Sequence, residues 1–146
     1  MQARKLKQQQ QQQQQQYNVF CYGTLEFPAV MKKIIGVEYP KESATLIDYA
    51  RYLVKAAPYP GIVQQQGAIT QGTLYHGLTA QQLLFMDEYE GSLYDRIESE
   101  VLTSRGELLL AEIYVVPLTR KHLMSNLQWD KIEFERLYMS EFFKIE

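Results

Sequence analysis

Glu90 is the residue whose type and position best suit chemistry. It closes a predicted helix, Thr79–Glu90, which a Thr79…Gln82 capping box opens and Gly91 ends, as a C-cap glycine does. At ~100° per residue, Leu83, Met86 and Glu90 fall within roughly 60° of one another, whereas Glu88 points away toward solvent. A carboxylate at the end of an apolar stripe is poorly solvated. Burial disfavours its ionised form and raises its pKa, which suits proton transfer near neutrality. Asp87 lies partly off the same face and competes for the role. The plain alternative is a structural glutamate at a helix end, paired with Arg96.

Two turns and a set of weaker nucleophiles complete the inventory. In Tyr22-Gly23-Thr24-Leu25 a strand runs into Gly-Thr; a sharp turn there leaves backbone N–H groups free to cradle a carboxylate or an oxyanion. An ordinary strand-ending turn is the competing reading. Tyr59-Pro60-Gly61 reads as a tight turn with an aromatic residue leading into it, either lining a pocket or simply turning the chain. Cys21 stands beside the first loop with no histidine near it in sequence, so it reads as packing. Ser92, Ser99 and Ser104 show no nucleophile-elbow setting.

The elements that must position these residues are mostly strands. Tyr17–Tyr22, Ala44–Lys55, Gly67–Leu78, Tyr94–Thr103 and Glu107–Pro117 are rich in β-branched and aromatic residues and bounded by Gly or Pro. Ser104-Arg105-Gly106 supplies hairpin chemistry between the last two. Asp130 with Glu133 predicts a final helix reaching about Phe142. The segment from Leu118 to Phe143 carries nothing diagnostic, and Trp129, Phe134, Leu137 and Phe142 read as packing. Several strands with few, separated helices predict an α+β fold with a mainly antiparallel, barrel-like sheet flanked by helices.

Composition excludes several classes of function. A net charge of −2 gives no basic field for nucleic acid or an anionic membrane, and no apolar run is long enough to span a bilayer. One cysteine allows no internal disulfide framework, and His76 and His122 lack partners at metal-ligand spacing. These features predict a cytoplasmic domain that needs no metal. Residues 1–16, basic and then poly-Gln, bury no apolar area and are expected to form a disordered leader; residues 17–146 are expected to form one domain. The sequence sets no oligomeric state.

Taken together, the motifs resemble the gamma-glutamylcyclotransferase-like family. Val19-Phe20-Cys21-Tyr22-Gly23-Thr24-Leu25 is similar to its opening strand and Tyr-Gly-Ser/Thr-Leu loop. Ala57-Pro58-Tyr59-Pro60-Gly61-Ile62-Val63 resembles its Tyr-Pro-Gly segment, and Gly72-Thr73-Leu74-Tyr75 its Gly-x-Leu-Tyr strand. Met86-Asp87-Glu88-Tyr89-Glu90-Gly91, with Tyr94 and Arg96, resembles the Leu-Asp-x-x-Glu-Gly…Tyr-x-Arg block, and Ala111–Val115 the strand after it. The resemblance implies a compact β-barrel flanked by helices that acts without a cofactor. It implies that Tyr22, Gly23, Thr24 and Leu25 bind a small gamma-glutamyl compound and that Glu90 is the acid/base for its cyclisation to 5-oxoproline. Tyr59, Tyr94 and Arg96 are the supporting candidates; strand alternation puts Tyr94 and Arg96 on one face, where they can brace the Glu90 end of the helix, and Arg96 reads as fixing the strand or pairing with a carboxylate, not as touching substrate. Met86 stands where the family has Leu, and Glu26-Phe27-Pro28 where many members have basic or small polar residues, unlike the glutathione-specific branch. The rival reading is a binding module of the same fold without turnover.

Overall fold

The computed structural model describes residues 15–144, with side chains described through Leu137. The expected leader therefore lies outside the described residues for all but Gln15 and Gln16, and so does the side chain of Phe142. Strand β1 (Tyr17–Cys21) runs into a single 3-10 turn, Thr24–Glu26, and then helix α1 (Pro28–Ile35). Two long strands follow, β2 (Lys41–Leu53) and β3 (Pro60–Leu78), and then helix α2 (Ala80–Glu90). Strands β4 (Asp95–Thr103) and β5 (Leu108–Val115), a 3-10 segment Leu118–Leu123 and helix α3 (Lys131–Lys144) complete the chain.

The strands form a closed barrel in the order β1-β3-β2-β4-β5. Strand β1 closes it, antiparallel to β3 and parallel to β5; the other pairings are antiparallel. This is the α+β barrel with flanking helices that the strand pattern predicts.

Two-residue alternation sorts the core into an inside and an outside. Phe20, Leu46, Ile62, Leu74, Val101 and Ile113 form one buried cluster, contributed by all five strands, that fills the barrel. Their strand neighbours Val19, Cys21, Tyr75 and Tyr114 belong to a second cluster with Val30, Met31 and Ile35 of α1, Leu83 and Met86 of α2, and Phe134 of α3. The buried strand residues of these two clusters thus meet either the barrel interior or the helical layer. The long β2–β3 ribbon bends at a bulge, where Asp48 takes a φ of 68° and its Oδ1 accepts a hydrogen bond from the Gly67 amide at 2.9 Å.

Local chemistry fixes the helix ends. Thr79 and Gln82 form the expected reciprocal capping box, and Gly91 ends α2 with a φ of 79°. Asp130 caps α3 by accepting from the amides of Ile132 and Glu133 at 2.9 and 3.1 Å. Helix α1 was not foreseen from the sequence: Pro28 starts it at a position that suits proline, and Gly36 ends it in the left-handed region.

Three further expectations need correction. Tyr59-Pro60-Gly61 is not a separate tight turn, because Pro60 and Gly61 already belong to β3, opposite Leu53 and Tyr52. β3 therefore begins seven residues before Gly67. Tyr94 precedes β4 instead of lying within it, so it does not share a strand face with Arg96. Leu137 is 43% exposed and is not packed in the core, unlike Trp129 and Phe134 at 6% and 3%.

Glycine 72 sets how closely β1 and β3 approach. A Cβ there would stand 2.7 Å from Phe20 Cζ and closer still to the Cys21 carbonyl oxygen. The Gly72→Ala variant is therefore expected to lose about 1–3 kcal/mol of stability. Urea denaturation would read this as a lower midpoint at unchanged slope.

Candidate active site

A cavity of 460 Å³ opens where β1 ends, between the 3-10 turn, the start of β3, the C-terminal end of α2 and the side of α3. The first wall is the loop after β1. Gly23 adopts φ −136° and ψ −131° there, and a Cβ on it would stand 2.8 Å from Pro60 Cγ, so a larger residue would not fit. The turn closes by hydrogen bonds from Glu26 N to Gly23 O and from Phe27 N to Thr24 O, at 3.0 and 3.2 Å. Among the described residues, the N–H groups of Gly23, Thr24 and Leu25 donate to no protein acceptor. Three adjacent amides without a protein acceptor at a cavity wall are the kind of group that can receive a negative oxygen.

The opposite wall is the end of α2. Leu83 and Met86 of its buried face anchor the helix in the core, which brings Glu90 to the cavity one turn after Met86. Glu90 is half-buried, and no hydrogen-bond or ion-pair partner reaches its carboxylate among the described residues. Burial pushes its pKa up to about 8. At neutral pH the group is mainly protonated, poised both to give and to take a proton.

Phenols make up much of the rest. Of the 11 tyrosines, Tyr22, Tyr59, Tyr89, Tyr94 and Tyr114 line the cavity. Tyr94 donates to Pro60 O at 2.7 Å, Tyr22 donates to Tyr114 O at 2.5 Å, and the Tyr89 and Thr24 hydroxyls share a 2.9 Å hydrogen bond. Burial raises the pKa of Tyr22, Tyr89, Tyr94 and Tyr114 above the ordinary phenol value, so all four stay protonated. Phe134 closes the cavity from α3, stacked on Phe27 at 5.8 Å.

The structure thus brings Tyr22, Gly23, Thr24, Leu25, Tyr59, Glu90 and Tyr94 together around one cavity. Arg96 is elsewhere. Its Nε and Nη2 grip Asp87 at 2.8 and 3.2 Å, and its Nη1 meets Glu112 at 3.1 Å. It braces α2 through Asp87, not through Glu90. Asp87, which also accepts from the Tyr114 hydroxyl at 2.5 Å, is held in that network and does not line the cavity. Cys21 does line it, but burial, with Glu90 and Glu26 nearby, raises its thiol pKa and keeps it from being a thiolate. His76 lies on β3 with Glu42 at 2.5 Å and Asn18 at 3.1 Å, and His122 in the 3-10 segment; neither lines the cavity. Among the described residues no group of His, Cys, Asp and Glu is placed to hold a metal ion.

Sequence reasoning missed Tyr89, Tyr114 and Leu93 as wall residues, and read Phe134 only as packing. Tyr89 sits beside Glu90 in a helix whose stripe analysis followed the aliphatic positions. Tyr114 alternates outward on β5 and reads as an ordinary strand aromatic. The surplus of tyrosine was the available signal.

Comparison with known proteins gives a consistent picture. The profile of the family described as "Gamma-glutamyl cyclotransferase, AIG2-like" matches residues 19–131. AIG2-like protein D of Arabidopsis thaliana is 30% identical over 131 residues, covering 88% of this chain and 86% of that protein. A solution structure of another Arabidopsis thaliana protein superposes with a TM-score of 0.70 at 29% identity, over 90% of this chain and 79% of its own. A structure titled gamma-glutamyl cyclotransferase shares the fold with a TM-score of 0.63 at 19% identity, over 70% of this chain and 67% of its own. No described helix is long and apolar enough to cross a membrane.

The raised pKa of Glu90 carries a stability consequence. Between the ordinary value of 4.5 and about 8, the folded protein holds a proton that the unfolded chain has released, so stability falls as pH rises through that window. Glu90→Gln removes this dependence. Its unfolding free energy should match the parent's at a pH of about 5 and exceed it at about 9, by an amount on the order of a few kcal/mol, seen as a higher Tm. Thermal melts of both proteins across this range check it.

Proposed function

The chain belongs to the gamma-glutamyl cyclotransferase, AIG2-like family, and we propose that it is an enzyme that converts a small gamma-glutamyl compound to 5-oxoproline and a free amine or amino acid, with no cofactor. The observation that carries this reading is the unpartnered carboxylate of Glu90 in a cavity shared with the unpaired amides of Gly23, Thr24 and Leu25.

The chemistry asks for little more. A gamma-glutamyl compound holds its attacking α-amine and its target carbonyl in one molecule, so the protein must fold the substrate into a near-attack geometry. The α-amine is protonated near neutrality, and the ionised fraction of Glu90, which grows as pH rises toward about 8, takes that proton as the nitrogen attacks the γ-carbonyl carbon. The new C–N bond gives a tetrahedral oxyanion. As the oxyanion collapses, the original γ-amide C–N bond breaks and Glu90 passes its proton to the departing nitrogen; the ring nitrogen sheds its remaining extra proton to the freed amine, which leaves as its ammonium ion. The loop amides hold a negative oxygen of the substrate, either its α-carboxylate or the oxyanion. The protonated phenols shape the cavity without adding a competing charge. Tyr59 and Tyr94 support the site from its walls, whereas Arg96 supports it indirectly through the Asp87 clamp on α2.

The test is 5-oxoproline release from a panel of gamma-glutamyl amino acids, gamma-glutamyl amines and glutathione. Glu90→Gln should keep the fold and lose activity by about 10²–10⁴-fold. The parent's kcat/KM should rise with pH through the Glu90 value of about 8, and that limb should vanish in the variant. Ligand binding without release from any substrate would make the protein a binding module instead.

A further inference from the structure

Against the loop, outside the cavity lining, stands an arginine that sequence motifs did not single out. Arg51 of β2 does not line the cavity. Its Nη1 donates to the carbonyl oxygen of Tyr22 at 2.7 Å and to that of Gln71 at 3.2 Å. The guanidinium lies 5.4 Å from the centre of the Trp129 ring and 3.9 Å from the Glu26 carboxylate, and its Nε has no partner. Thr73 donates to the same carboxylate of Glu26 at 3.2 Å.

The consequence follows from peptide geometry. The Tyr22–Gly23 peptide is trans, as are the others described. In a trans peptide the carbonyl and the following N–H point in opposite directions. Fixing the Tyr22 carbonyl on Arg51 therefore aims the Gly23 N–H the other way, toward the cavity that Gly23 lines. The hydrogen bond from a cation also polarises that peptide, making its N–H a stronger donor. Glu26, itself bonded by Thr73, lies beside the guanidinium and Trp129 lies against it, and together with the two carbonyls they keep the cation in this place.

We infer that Arg51 is a positioning residue for the anion cradle: through the Tyr22–Gly23 peptide it orients and strengthens the Gly23 N–H that receives a negative oxygen of the ligand. This rests on the reading of the cavity as a gamma-glutamyl cyclotransferase site. It assigns Arg51 no contact with substrate. A lysine at this place keeps a charge but not the planar group that lies against Trp129 and Glu26 while its Nη1 reaches both carbonyls.

The test is an amide NMR titration of the full chain with 5-oxoproline, run on the parent, Arg51→Lys and Arg51→Met. In the parent the Gly23 amide should shift on binding. Arg51→Met should move the free-state Gly23 amide proton upfield and weaken 5-oxoproline binding by about tenfold or more, with Arg51→Lys between the two. The Gly106 amide in the β4–β5 turn should stay in place, which separates aiming of the loop from general loss of structure. In turnover assays, Arg51→Met should depress kcat/KM while keeping the parent's rising pH limb, because Glu90 is untouched. A folded Arg51→Met with parental affinity and a parental Gly23 response would overturn the inference alone. If Arg51→Met fails to fold, parental affinity in Arg51→Lys overturns it equally. A parent that neither binds 5-oxoproline nor releases it would remove the function reading, and this inference with it.

Discussion

At Gly72 the carbonyl oxygen of Cys21 and the ring of Phe20 occupy the space where a side chain would begin. That close approach lets the short strand β1 nest against β3 and still reach β5 on its other side, which is what closes the barrel. The loop that follows inherits its position from this contact. Residues 22–25 leave the barrel at a fixed point, directly against Pro60, and Gly23 again has no room for a Cβ. Two bare backbone positions thus decide where three unpaired amides stand. The rest of the cavity assembles around them.

The second constraint is electrostatic. Glu90 is brought to the cavity by a helix held on Leu83 and Met86, and nothing described compensates its charge. A structural carboxylate in such a place would be paired, as Asp87 is only three residues earlier, with Arg96 and the Tyr114 hydroxyl. The contrast within one helical turn distinguishes the two acids: one is clamped to hold the helix, the other is left uncompensated. Protonated tyrosines, not cations, surround the uncompensated one, and this keeps its proton affinity high.

Much of this was legible in the sequence, for physical reasons. The 3.6-residue stripe and the Thr79/Gln82 cap located α2 and put Glu90 at its buried end, because capping and amphipathicity are local. The barrel was legible as five β-rich segments, since alternation is local too. What failed was what depends on partners distant in sequence. Pro60-Gly61 carries turn chemistry, yet pairing with Leu53 and Tyr52 overrides it and extends β3. Helix α1 does carry local signals, Pro28 at its start, a stripe of Val30, Met31 and Ile35, and Gly36 at its end, but so short a helix owes its stability to packing of that stripe and is easily passed over. That Arg96 pairs with a carboxylate near this helix end was legible, but which acid it grips was not, because the choice between Asp87 and Glu90 depends on how β4 and β5 cross the helix. Arg51 was invisible: its partner is a main-chain carbonyl 29 positions away, which no side-chain pattern encodes.

The protein holds one tryptophan. Trp129 is buried, donates to Pro58 O at 3.1 Å and lies 5.9 Å from Phe134, and both of these neighbours line the cavity. Its indole therefore sits at the joint between α3, the entry to β3 and the guanidinium against the loop. Fluorescence excited at the red edge, where the tyrosines do not absorb, comes from this joint alone. The emission wavelength and lifetime of that single fluorophore follow how α3 seats on the barrel, and whether the cavity beneath it is filled, as events separate from unfolding of the barrel itself.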